Sequence, residues 1–133
     1  MKVAVSATEP SLDATIDPRF GRCPYFVIAD TETMQYEAVP NTSQSAPHGA
    51  GIQSAQIIAN KGVKVVLTGN VGPNAYQSLS AAGIQIVTGA TGTVRETIMR
   101  YKKGDLRETS SPTVGGHFGS GGGRGMGRGG RWR

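Results

Sequence analysis

The sequence predicts an α/β domain: a mixed, twisted β-sheet with helices on its faces. Three observations carry this expectation. Short apolar runs dominate up to about Val39, and the spacing then turns helical after Gly49-Ala50-Gly51. From there helices and strands alternate, which calls for parallel pairing through right-handed crossovers. Before it, two strands joined by a short turn at Asp30-Thr31-Glu32-Thr33 supply an antiparallel hairpin. At 133 residues the chain has the length of one domain with one core.

Taken in order, Lys2 to Ala7 reads as the first strand, with Val3 and Val5 on one face. Thr8 to Pro24 is a long loop punctuated by Pro10, Pro18 and Gly21. Tyr25 to Asp30 and Gln35 to Val39 form the hairpin, and a polar loop, Pro40 to His48, follows. Ile52, Ala55, Ile58 and Ala59 then recur at helical spacing, closed by Lys61-Gly62. Val63 to Thr68 is nearly continuous in apolar residues, as in a strand covered on both faces. Pro73 suits the first turn of the next helix, whose buried stripe is expected to be Ala75, Leu79 and Ala82 before Gly83. Ile84 to Thr88 is the last strand. Thr93-Val94-Arg95-Glu96 has the form of a capping box, and Val94, Ile98 and Tyr101 make the third stripe before Lys102-Lys103-Gly104.

Charge is placed unevenly. Residues 1–114 carry 10 Lys+Arg against 9 Asp+Glu, whereas Gly115 to Arg133 carries four arginines and no acid. The high isoelectric point therefore belongs to the last segment and does not make the folded part a nucleic-acid binder. One cysteine excludes an internal disulfide and any multi-cysteine zinc or iron–sulfur site built by one chain. The N-terminal apolar stretch is too short for a signal peptide, and no run approaches the roughly 20 residues of a membrane span, so a cytoplasmic protein is expected.

The chemistry concentrates in Asp17-Pro18-Arg19-Phe20-Gly21-Arg22-Cys23-Pro24-Tyr25-Phe26. Gly21 allows a tight turn and close approach to a ligand, Arg19 and Arg22 supply fixed positive charge, and Cys23 the one soft sulfur. That combination suits a soft anion better than acid/base catalysis; the bland alternative pairs the arginines with Asp13 or Asp17. In open α/β sheets ligands sit beyond the carboxyl ends of the strands, here the loops Thr8–Pro24, Gly69–Pro73 and Gly89–Gly92. Two of these loops feed helix N-termini, where unpaired N–H groups favour an anion, and His48-Gly49 opens the remaining helix. Arg19, Phe20, Gly21, Arg22, Cys23, His48, Gly49, Asn70, Gly72 and Asn74 are thus expected at one cleft. Each has a plainer reading: His48 as a cap-region histidine, Cys23 as a small buried hydrophobe, Asn70 as a turn residue. With two histidines and no carboxylate cluster at strand ends, neither a Ser/His/Asp set nor a Mg²⁺ site suggests itself, and binding without turnover is expected.

The succession DPRFGRCPYF, HGAG-helix, VVLTGNVGPNA-helix, IQIVTGATGTV-helix resembles the dinitrogenase iron–molybdenum cofactor biosynthesis family, which holds nitrogenase cofactor carriers and orange-protein-like members, over about residues 1–108. The resemblance implies a ribonuclease-H-like three-layer fold with five strands in the order 3-2-1-4-5, strand 2 antiparallel, and three helices. It implies non-enzymatic storage or delivery of a metal–sulfur cluster, of molybdenum with iron or copper, to a client metalloenzyme or cluster-assembly protein. Arg19, Gly21, Arg22 and Cys23 would border that cluster with His48 and the 69–74 turn beside them, Cys23 and His48 being the candidate metal ligands. Arg19 stands where nitrogenase-associated members usually carry histidine. Such clusters are anions with soft sulfide surfaces, so arginine donors and helix N-termini hold them by charge-assisted hydrogen bonds.

Residues 109–133 read as a disordered tail: Gly115 to Arg133 holds ten glycines and four arginines and too little apolar surface to offset chain entropy. It resembles an RGG segment, and nucleic-acid binding through it, with Trp132, is the alternative function. The blander reading is a solubilising tail, and a third is an arm folded over an anionic guest.

Overall fold

The computed structural model describes residues 1–44 and 49–113. His48 and the glycine/arginine segment lie outside the described residues, and with them the expectations of disorder and nucleic-acid binding that rest on that segment.

Five strands, β1 (Lys2–Ala7), β2 (Tyr25–Asp30), β3 (Tyr36–Pro40), β4 (Val65–Leu67) and β5 (Gln85–Val87), form one sheet in the order β3-β2-β1-β4-β5. β1 pairs antiparallel with β2, Val5 opposite Val27, and parallel with β4, Val5 opposite Leu67. β3 is antiparallel to β2, and β5 parallel to β4. This is the mixed α/β sheet that the element order requires. β4 and β5 are shorter than their apolar runs, although Val63, Thr68 and Ile84 are buried and Thr68 N–H still donates to the Val87 carbonyl.

Alternation along the strands divides the core in two. Val3, Val5, Val27, Val65, Leu67 and Val87 face α3 (Val94–Lys102), while Ala4, Phe26, Ile28, Val66 and Ile86 face α1 (Ala50–Ala59) and α2 (Pro73–Ala81). The long loop after β1 serves both halves. Its first part buries Leu12, Ala14 and Ile16 on the α3 side; its last part, a single 3-10 turn over Phe20–Arg22, buries Phe20 and Cys23 on the other. The Phe20 ring meets Phe26 with centroids 5.3 Å apart, a contact whose loss in a Phe→Ala change costs about 3–5 kcal/mol.

Two expected stripes are corrected. On α1 the buried residues are Ala50, Ser54, Ala55 and Ile58, whereas Ile52 and Ala59 are exposed. The helix turns its small residues inward because its first turn lies against α2: a Cβ on Gly51 would stand 2.9 Å from the Ala75 Cβ. On α2 Ala82 is exposed, since the helix ends at Ala81 and Ala82 only caps it.

Beyond α3 the chain stays attached past residue 108. Thr109 N–H donates to the Ile86 carbonyl at 2.6 Å, and its hydroxyl bonds that of Thr88 at 2.7 Å. Thr113 N–H then donates to the Val71 carbonyl at 2.9 Å, while Val71 N–H donates to the Thr113 hydroxyl at 2.8 Å. The free edge of β5 is thereby covered, and the chain is led to the loop between β4 and α2.

Candidate functional site

Glycine brings three loops to one place. Gly69 passes so close to Pro18 that a Cβ there would lie 2.7 Å from the Pro18 Cα. The contact is fastened by Asn70 N–H to the Pro18 carbonyl at 2.8 Å and Phe20 N–H to the Asn70 carbonyl at 3.3 Å. Gly21 in turn rests on Gly51, where a Cβ would be 3.0 Å from the Gly51 Cα. A cleft of about 410 Å³ opens over this junction, lined by Arg19, Phe20, Gly21, Arg22, Gly49, Ala50, Gly51, Asn70, Gly72, Pro73, Asn74 and Ala75.

Its electrostatics are set by two helix starts. α1 begins at Gly49, which holds φ 73°, a left-handed conformation natural to glycine. α2 begins at Gly72 with Pro73 as its first helical residue. Among the described residues neither start has a side-chain cap, and neither has an acid in its first turn. Among the described residues, the amides of Gly51, Asn74 and Ala75 meet no acceptor. Free N–H groups and the positive ends of two helices therefore face the same cavity.

Arg19 is half committed. Its Nε and Nη2 bond the two Asp17 oxygens at 3.1 and 3.0 Å, and its backbone N–H donates to Asp17 Oδ1 at 2.9 Å. The plainer reading of an Arg19–Asp17 pair is thus correct for this part of the guanidinium. The side chain is nevertheless 64% exposed, and among the described residues its Nη1 has no acceptor. Burial tends to raise the Asp17 carboxyl, but the Arg19 hydrogen bonds and charge outweigh it and hold the group below the usual carboxylate range. Arg22 donates from Nη1 to the Gln44 carbonyl at 2.9 Å, which ties the turn to the loop after β3.

Cys23 follows its plainer reading, a small buried hydrophobe, and departs from the expectation of a cleft residue. It is fully buried, does not line the cleft, and points its thiol at the Phe20 carbonyl, 3.2 Å away. Burial, with the Asp17 charge adding to it, pushes the thiol up to about 12, far from thiolate at neutral pH. Of the two candidate metal ligands, then, Cys23 belongs to the core beneath the turn and His48 lies outside the described residues. The Gly89–Gly92 loop also stays away, because it leads into α3 on the opposite face of the sheet. Arg19, Phe20, Gly21, Arg22, Gly49, Asn70, Gly72 and Asn74 do come together. Among the described residues no three His, Cys, Asp or Glu side chains gather as a metal site, and no helix is long and apolar enough to cross a membrane.

One contributor was not foreseen. Asn41 is buried beneath the turn and donates to the Cys23 carbonyl at 2.8 Å and the Gly21 carbonyl at 3.2 Å. Its own oxygen accepts from the Ser43 hydroxyl at 2.7 Å and the Ser54 hydroxyl at 3.1 Å, so one amide joins the turn, the loop after β3 and α1. An Asn and a Ser two residues apart after a strand signal an Asx turn; nothing in the spacing signals the bond to Ser54.

Fold and cleft together define a small α/β protein with a glycine-lined, electropositive cavity beyond the carboxyl ends of its parallel strands. Comparison gives the family. The chain belongs to the dinitrogenase iron–molybdenum cofactor family, whose model matches residues 1–104. It is similar to the apo form of the orange protein from Desulfovibrio gigas, at 44% identity and a TM-score of 0.83 over 85% of this chain and 96% of that one. It is also similar to a putative NifB protein from Thermotoga, of the DUF35 family, at 36% identity and a TM-score of 0.75 over 85% of this chain and 97% of that one. An uncharacterized protein of Methanocaldococcus jannaschii is 33% identical over 111 residues, 81% of this chain and 91% of its own length.

Proposed function

We propose that this protein binds a preassembled, anionic metal–sulfur cluster, of molybdenum with iron or copper, and stores or delivers it without turnover. The observation that carries the proposal is the convergence of two uncapped helix N-termini and the Arg19–Arg22 turn on one cavity. The lining is apart from these groups mostly small and apolar, with Phe20, Ala50, Pro73 and Ala75 offering contact to a soft sulfide surface. Arg19 Nη1, Arg22 and the amides of Gly51, Asn74 and Ala75 are the donors to the cluster sulfurs, each bond strengthened by the charge on the guest. A cluster that brings its own sulfide needs no thiolate from Cys23. Membership of an iron–molybdenum cofactor family supports the theme. On this reading the fold is a ribonuclease-H-like three-layer arrangement, the protein works in the cytoplasm, and its partner is a client metalloenzyme or a cluster-assembly protein.

The test is direct. Protein freed of metal and mixed anaerobically with tetrathiomolybdate and copper should retain both metals through gel filtration and gain visible absorption. Arg19→Ala with Arg22→Ala should lower retention about tenfold or more, the worth of one to two charge-assisted bonds. Colourless, metal-free wild-type protein would overturn the proposal, and undiminished retention by the double variant would move the site elsewhere.

A further inference from the structure

Residues 105–113 form a strap that runs along β5 and ends on the loop between β4 and α2. Leu106 packs against the core on the α3 side. Thr109 bonds Ile86 and Thr88, and its carbonyl accepts from the Tyr76 hydroxyl at 3.4 Å. Thr113 then grips Val71 at both of its backbone groups. The Thr113 N–H donates to the Val71 carbonyl at 2.9 Å, and the Thr113 hydroxyl accepts from the Val71 N–H at 2.8 Å. Val71 is buried, and its neighbours Asn70 and Gly72 line the cleft. The strap lies beyond residues 1–104, over which the family model matches.

Two successive peptide units are fixed by this grip. The first is held at both ends, its Asn70 carbonyl by Phe20 N–H at 3.3 Å and its Val71 N–H by the Thr113 hydroxyl. The second has its Val71 carbonyl on Thr113 N–H. A trans peptide is planar with its C=O and N–H opposed, so the Gly72 N–H points away from the strap. Among the described residues that N–H meets no acceptor. Resting on the proposed cluster binding, we infer that Thr113 is a positioning residue: it holds the 71–72 peptide so that Gly72 N–H joins the Asn74 and Ala75 amides as a donor to the bound anion. Pro73 between them has no N–H to give. Without the grip, glycine at 72 offers little steric resistance to rotation of that peptide. A donor already aimed costs no ordering when the anion arrives. Thr113 itself is exposed, so its hydrogen bonds matter more to this aim than to overall stability.

The experiment uses the full-length chain with tetrathiomolybdate as the probe. Thr113→Pro removes both the N–H donor and the hydroxyl, and should weaken retention about five- to tenfold. Thr113→Ser keeps both groups and should retain the probe as wild type does. The amide resonance of Gly72 supplies a readout that a merely structural role would not move. It should shift on addition of the probe in wild type and in the Ser variant, and stay in place in the Pro variant. Equal retention by wild type and Thr113→Pro would overturn the positioning role while leaving the cleft reading intact. Equal losses in the Ser and Pro variants would overturn it too, since the hydrogen bonds would not be what matters. A Gly72 shift that persists in a weakened Pro variant would show that Thr113 does not aim this amide. Failure of wild type to retain the probe would overturn both the positioning role and the cluster reading on which it rests.

Discussion

The three α-helices among the described residues begin in two different ways. The start of α3 is closed. Its four leading N–H groups are all taken: Thr93 by the Glu96 carboxylate, Val94 and Arg95 by the Ala14 and Leu12 carbonyls, Glu96 by the Thr93 hydroxyl. The starts of α1 and α2 are open, headed by Gly49 and Gly72, with no side-chain cap and no acid. A glycine in place of a capping side chain costs a helix only a few tenths of a kcal/mol, so what the two glycine starts change is less the stability of the helices than the donors they leave without a side-chain acceptor. The closed end is built for stability. The open ends leave donors for a guest.

The largest test attacks the geometry that brings the open ends together. Gly51→Val places a branched side chain against Ala75 and Gly21. It should cost about 1–3 kcal/mol by overpacking and abolish tetrathiomolybdate retention. A stable, binding-competent variant would mean that the α1–α2 contact does not shape the cleft.

Next comes the Asp17–Arg19 pair, which holds the turn. Asp17→Asn should cost about 1.5–3 kcal/mol near neutral pH, the worth of charged hydrogen bonds. Because the folded carboxyl titrates below the ordinary Asp value of about 3.9, the unfolded chain takes up its proton first as pH falls. The stabilisation is therefore complete well above that value and disappears below it. Denaturant midpoints of wild type and variant should converge as pH drops below about 4; a gap independent of pH would show that the charge is not what matters.

Asn74→Asp gives the comparison its sharpest form, because stability and binding should move in opposite directions. An acid in the first turn of α2 should stabilise the helix by about 0.3–1 kcal/mol while weakening retention of the thiometallate several-fold. If both improve, the N-terminus of α2 is not in contact with the guest.

The smallest effect is expected at the closed end. Thr93→Ala should lower stability by about 1 kcal/mol, read from chemical denaturation, and leave retention unchanged. A loss of binding there would couple the two faces of the sheet.

Much of this was legible from residue order. Helical and strand periods gave the five strands and three α-helices of the described residues, the Thr93–Glu96 spacing gave the cap of α3, and the 3-10 turn over Phe20–Arg22, on which the cleft is built, was read only as a loop with a tight glycine. Short-range rules reach that far because a cap, a turn or an apolar period is settled within a few residues. They failed wherever a partner was distant in sequence. The inward face of α1 follows from Gly51 meeting Ala75, and the buried Ser54 from Asn41. Which of the two readings of Cys23 holds follows from the turn packing into the core of the α1 and α2 face. The sequence determined the elements, their order and a cationic glycine turn. Only the tertiary structure decided which loops meet, because close approach between Gly69 and Pro18, or Gly21 and Gly51, depends on how the two layers pack on the sheet and on nothing nearby in the chain.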